Sequence, residues 1–133
     1  MRFAAVFAVF MIEASACLAQ TRPPQTVVRT VVSGKQSQVG FLYALNPDCS
    51  NAGEVDVRIL KKPEHGTIEI TQGDGFPNYP ETNIRFQCNK QKVPGSLVMY
   101  KSDDGYVGKD FFETEHIGPL GGDFINKYVV TVK

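Results

Sequence analysis

The sequence predicts an all-β fold: two packed sheets made of about seven or eight short antiparallel strands, clipped by one disulfide. Three observations lead there. β-branched and alternating runs recur along the chain with turn residues between them, no segment beyond the N-terminal leader carries helical periodicity, and two cysteines remain once that leader is set aside. At 133 residues there is room for one ordinary hydrophobic core and too little for two.

The elements follow in order. Thr26 to Val32 is β-branched except at Arg29, and such side chains lose rotamer freedom in a helix, so a strand is predicted before the Ser33-Gly34 turn. Val39, Phe41, Tyr43 and Leu45 share one face of a second strand. Turn residues surround Cys49, from Asn46-Pro47-Asp48 to Ser50-Asn51-Ala52-Gly53, because these side chains bond their own backbone or tolerate unusual dihedrals. Val55, Val57 and Ile59 then alternate with Asp56 and Arg58. Lys61 to Gly66 turns the chain into Thr67 to Thr71, with Ile68 and Ile70 inward, and the two runs read as a hairpin. Gln72 to Ser96 is weakly patterned and reads as an irregular insert, with Asn83 to Cys88 its one strand-like stretch. Alternation returns at Leu97 to Lys101, Asp110 to Glu115 and Asn126 to Val132.

The first twenty residues read differently. Arg2 is a minimal positive region, Phe3 to Ile12 an apolar run, and Ala14 to Ala19 is rich in small residues, the layout of a secretory signal peptide. The run is about ten residues, half of what a spanning helix needs, so no membrane span is expected. The predicted organisation is a signal at 1–19, a short extended leader at 20–25 held open by Pro23 and Pro24, and one domain at 26–133. Cleavage after Ala16 would instead leave Cys17 first, which resembles a bacterial lipoprotein signal without its usual leucine; a lipid anchor at Cys17 is the less favoured alternative.

With Cys17 in the signal, Cys49 and Cys88 form an even pair in a compartment that oxidises thiols, and a disulfide is expected. Closing a loop of about 40 residues stabilises by about 4 kcal/mol in the chain-entropy account. Lysine plus arginine balance aspartate plus glutamate at 14 each, and Arg2 and Glu13 leave together with the signal. A neutral domain lacks the charge that nucleic-acid affinity depends on, so nucleic acid is set aside as a partner.

Two passages resemble the bacterial Ig-like and cadherin-like repeats of large secreted surface proteins. They are Lys62-Pro63-Glu64-His65-Gly66-Thr67-Ile68-Glu69-Ile70 and Met99-Tyr100-Lys101-Ser102-Asp103-Asp104-Gly105-Tyr106-Val107-Gly108-Lys109-Asp110-Phe111-Phe112, followed by Tyr128 to Val132 as a closing strand. The resemblance implies an immunoglobulin-like β-sandwich, present here as a single copy. It differs from those repeats in its disulfide and its insert. Structural turn roles follow for Gly66 and Gly108, which would supply dihedrals that a side chain penalises, and for Asp110, which would cap local amides. Tyr106 and Phe112 would anchor the core beneath that corner.

Chemical readings are weaker. Asp103, Asp104 and Asp110 lack the alternating ligand spacing of a calcium loop. His65, His116, Cys49 and Cys88 have no paired zinc spacing, and His65 belongs to a turn. No G-x-S-x-G motif occurs, and Glu113 and Glu115 read as exposed carboxylates on an edge strand. Lys61, Lys62, Arg85, Lys90 and Lys92 would form a basic patch only if the insert folded over the Lys61 turn. No catalytic residue, cofactor or metal is therefore assigned. The expected function is a non-enzymatic interaction or structural module, periplasmic or secreted, that presents loops to an envelope or extracellular protein or glycan. The alternative is a small secreted enzyme or metal-binding protein with a loop-end pocket near His65 and His116. A structural variant would join an assembly through an exposed edge at Thr26 to Val32.

Overall fold

The structure, a computed structural model, describes residues 22–133; the predicted signal, its cleavage sites, Cys17 and the first two leader residues lie outside the described residues. Seven strands follow: β1 (Gln25–Val31), β2 (Ser37–Leu42), β3 (Asp56–Lys61), β4 (Gly66–Gly75), β5 (Val93–Ser102), β6 (Gly108–Ile117) and β7 (Asp123–Val132). They form two sheets, ordered β1-β7-β6-β3 and β2-β5-β4. This is the expected immunoglobulin-like sandwich, with the Cys49–Cys88 disulfide in place at an S–S distance of 2.05 Å. Among the described residues no helix is long and apolar enough to cross a membrane.

Period-two patterning explains the core. Val98 and Tyr100 on β5, Phe112 on β6, and Tyr128, Val130 and Val132 on β7 all face inward and are buried. Phe112 lies parallel to the rings of Tyr128 and Tyr100, with centroids 4.3 and 6.1 Å away. Val39 and Leu42 reach the same core from β2, although they are three residues apart, because the ladder to β5 shifts register between Gln38 and Gly40.

Four expectations are corrected. Not every pairing is antiparallel: β1 runs parallel to β7, with Gln25 opposite Asn126 and Val31 opposite Val132. The runs at Val55–Ile59 and Thr67–Thr71 do not form a hairpin. β3 pairs with β6 and β4 with β5, so Lys62 to His65 carries the chain from one sheet to the other. Alternation specifies two strands but not their partners, and this crossover has the same turn residues a hairpin would use. The insert is shorter than Gln72 to Ser96, since Gln72 pairs with Ser96 and Gly75 with Val93 in a continuous ladder. Its strand-like stretch at Asn83 to Cys88 consists instead of tight turns leading into a 3-10 helix at Phe86–Lys90.

Asp110 joins the sheets at the crossover. Fully buried on β6, its carboxylate accepts the amides of Glu64 at 3.0 Å and His65 at 3.1 Å and the hydroxyl of Tyr100 at 2.8 Å. The expected cap is therefore real but mostly long-range; only the Phe111 amide, at 3.0 Å, is local. Gly108 has φ +144°, as its predicted turn role requires. Gly66 does not occupy the left-handed region. A Cβ there would lie 2.5 Å from the Lys101 carbonyl oxygen and 2.8 Å from the Tyr100 ring, so close packing explains this glycine. Tyr106 closes the same corner, stacking on His65 at 4.1 Å and donating its hydroxyl to the Lys109 carbonyl at 2.7 Å.

Asp110→Ala leaves four donors without their acceptor, the buried Tyr100 hydroxyl among them, and is expected to lower unfolding stability by at least about 3 kcal/mol in urea titration, against about 1 kcal/mol for Tyr100→Phe. Equal effects would show that the carboxylate does not organise the corner.

Candidate functional site

Strand direction sorts the connections into two groups. The β2–β3 connection, the β4–β5 insert and the β6–β7 turn meet at one end, where β1 also begins. The β1–β2 turn, the crossover at Lys62 to His65 and the β5–β6 turn lie at the other. The three residues given structural turn roles by the resemblance, Gly66, Gly108 and Asp110, belong to this second end.

The first end is built more heavily. Cys49, held at φ +70°, ties the β2–β3 connection to Cys88 in the 3-10 helix of the insert. Arg85 donates Nε–H to the Leu45 carbonyl at 2.7 Å, and the Gln87 amide reaches the Pro47 carbonyl at 3.2 Å. Asn89 holds both backbone groups of Tyr79 at 2.9 Å, as a neighbouring strand would. Leu45, Cys88 and Val93 are buried in a small second core, with Phe41, Tyr43, Cys49 and Tyr79 packed against it. Burial raises the pKa values of Tyr43 and Tyr79, so both remain neutral and hydrogen-bonding at physiological pH.

Beside this second core lies a cleft of about 590 Å³. Phe41, Tyr43 and Leu45 come from one sheet and the connection after it, Tyr79 and Arg85 from the insert, Leu120 from the β6–β7 turn, and Phe124 and Asn126 from β7; Arg22 stands where the chain enters β1. Leu120 is 69% exposed. Asn126 is buried, and its Oδ1 has no hydrogen-bond partner among the described residues.

His116 lies behind the cleft wall, edge-on to Phe124 at 4.7 Å, with Nε2 2.7 Å from Thr114 Oγ1. Burial pulls its pKa down to about 4, with Asp123 opposing weakly, so the ring is neutral at pH 7. His65 is elsewhere: its amide sits on Asp110, six residues from His116 along β6, about 20 Å at strand rise. The two histidines do not share a pocket. Glu113 and Glu115 lie on a central strand rather than an edge, where they face Lys127 at 3.7 Å and Arg58 at 3.9 Å. The basic patch does not assemble either, because β4 separates Lys61 and Lys62 from the insert by its ten residues, about 30 Å. Both thiols of the nominal zinc set are in the disulfide, and Asp110 of the nominal calcium set is taken by amides.

The cleft was not read from sequence, because its lining comes from five separate segments. The available signal was the coincidence of a cysteine in each of two turn-rich stretches, which places those stretches side by side.

The chain matches no family model and no curated protein. Among solved structures, it is similar to a chain of the structure of PbICP-C in complex with falcipain-2, at 14% identity and a TM-score of 0.37, over 85% of this chain and 92% of that one.

The folded pKa of His116 lies below its ordinary value of 6.5, so the unfolded chain binds a proton that the folded one refuses between pH 6.5 and about 4. Stability is complete above this window and falls through it as pH drops, by up to about 3 kcal/mol. Denaturant titrations at stepped pH should show the fall, and His116→Gln should flatten it relative to wild type.

Proposed function

We propose that the chain is an exported, non-enzymatic binding module of the bacterial envelope or exterior, and that its loop end is the surface that meets a partner. One observation carries this reading: the disulfide and the hydrogen bonds of Arg85 and Gln87 tie the insert to the β2–β3 connection beside a mainly apolar cleft. Binding surfaces commonly sit on loops held by a rigid scaffold, and a preorganised wall loses little conformational entropy on association. The signal-like N-terminus and the disulfide support export. The resemblance of Lys62–Ile70 and Met99–Phe112 to bacterial Ig-like repeats supports a surface or periplasmic setting, with those passages shaping the opposite end. Separation of the histidines, and the cross-strand cations facing Glu113 and Glu115, favour binding over catalysis.

Selection from a random peptide display library tests the location of the surface. The reading predicts that most selected peptides bind Leu120→Asp at least about tenfold more weakly than wild type, since the change sets a charge in the apolar rim. Peptides that bind both proteins equally would place the surface elsewhere. Export is tested by the intact mass of the protein from its native source, with and without reduction before alkylation. A chain starting at Gln20, with two thiols appearing only on reduction, is expected; an unprocessed chain with free thiols would overturn export, and a lipid-sized increment on Cys17 would replace a soluble module with an anchored one.

A further inference from the structure

The chemistry of the cleft narrows its occupant. Its lining holds two cations, Arg22 and Arg85, and no aspartate or glutamate. The ion pairs among the described residues are Arg58 with Asp56 and Glu115, and Lys127 with Glu113, so neither cleft arginine has a carboxylate among them. Arg85 is also positioned. Its Nε is committed to the Leu45 carbonyl and its backbone amide to Asn83 Oδ1 at 2.8 Å, which leaves the terminal guanidinium nitrogens as the donors not used by this anchoring. A guanidinium fixed against an apolar wall is suited to a planar carboxylate, because less side-chain entropy is lost and the local dielectric is low.

The remaining lining asks for something other than charge. Phe41, Tyr79, Leu120 and Phe124 offer an apolar and aromatic surface, and the volume lies in the range of about 300–1,000 Å³ common for ligand clefts. An extended peptide supplies both complements at once: acidic side chains for the two arginines and a bulky apolar side chain for the aromatic wall. A simple fatty acid has one carboxylate for two arginines, and a polyanion would meet only those two arginines in a mainly apolar wall.

Resting on the loop-end reading above, we propose that the cleft takes an extended segment of a partner protein, which sets an acidic side chain against Arg85 and a large apolar side chain against Phe41, Tyr79 and Phe124. Arg22 adds attraction at the entrance.

The test is an amide-resolved NMR titration of the purified protein with three end-blocked pentapeptides: Gly-Glu-Phe-Glu-Gly, the same with both glutamates replaced by glutamine, and the same with alanine for phenylalanine. The first should move the amides of Leu45, Tyr79, Arg85, Leu120 and Phe124 and bind about tenfold or more tightly than either of the others. Arg85→Gln should bring the preference for glutamate over glutamine below about twofold, with Arg85→Lys restoring part of it. Because Arg85 also anchors the insert, Arg22→Gln serves as a second variant, and the glutamate-to-glutamine ratio is a readout that loosening of the insert alone would not move. Equal affinity for the glutamate and glutamine peptides, with shifts at the cleft, would overturn the carboxylate assignment and leave the loop-end reading standing. Octanoate binding the same amides more tightly than the glutamate peptide would overturn the peptide in favour of a lipid acid. If neither these probes nor library-selected peptides move the loop end, both readings fall.

Discussion

The link between Cys49 and Cys88 is the constraint on which the loop end of the molecule depends. Without it, the insert is a long stretch of turns whose own secondary structure is one short 3-10 helix. Such a segment buries little of its apolar surface, since Phe76, Ile84 and Phe86 stay exposed, and so has little with which to offset the entropy of ordering it. The disulfide removes part of that entropy by fixing Cys88 beside the β2–β3 connection. The bonds from Arg85, Gln87 and Asn89 then form between groups already close together. The second small core and the cleft are consequences of that placement.

A different interaction governs the opposite end. There Asp110 gathers donors from the crossover and from β5, and the His65–Tyr106 stack covers the corner. The main core, stacked from Tyr100 through Phe112 to Tyr128, lies between the two constructions. This arrangement separates labour along the strand axis. One end relies on a buried carboxylate to hold two sheets together, and the other relies on a covalent clip to present side chains outward.

Much of the sandwich was legible because its core strands alternate strictly. Val98 and Tyr100, Phe112, and Tyr128 to Val132 declare their inward face by period two, and the cysteine pair follows from count and compartment. Pairing was less legible. Nothing local in Val55 to Thr71 tells a hairpin from a crossover, because the partners of both strands lie more than 25 residues further along the chain. Asp110 was found as a turn residue, but its distant donors could not be, since side-chain capping across 45 residues has no sequence signature. Gly66 was right in kind and wrong in reason: sequence marks an intolerance of side chains without telling a dihedral from a close neighbour. The cleft was the least legible feature. Its apolar members are ordinary strand and loop residues until the clip brings them to one place.

The claim that the clip builds the loop end is tested most directly by amide hydrogen exchange on the oxidised and the reduced protein. The account predicts that reduction releases the amides of Asn83, Phe86, Cys88 and Gln91, which bond within the insert, while β5, β6 and β7 keep their slow exchange. Unchanged protection across the insert would contradict it, as would a uniform loss across both sheets, which would make the disulfide a staple of the whole sandwich rather than the builder of one end.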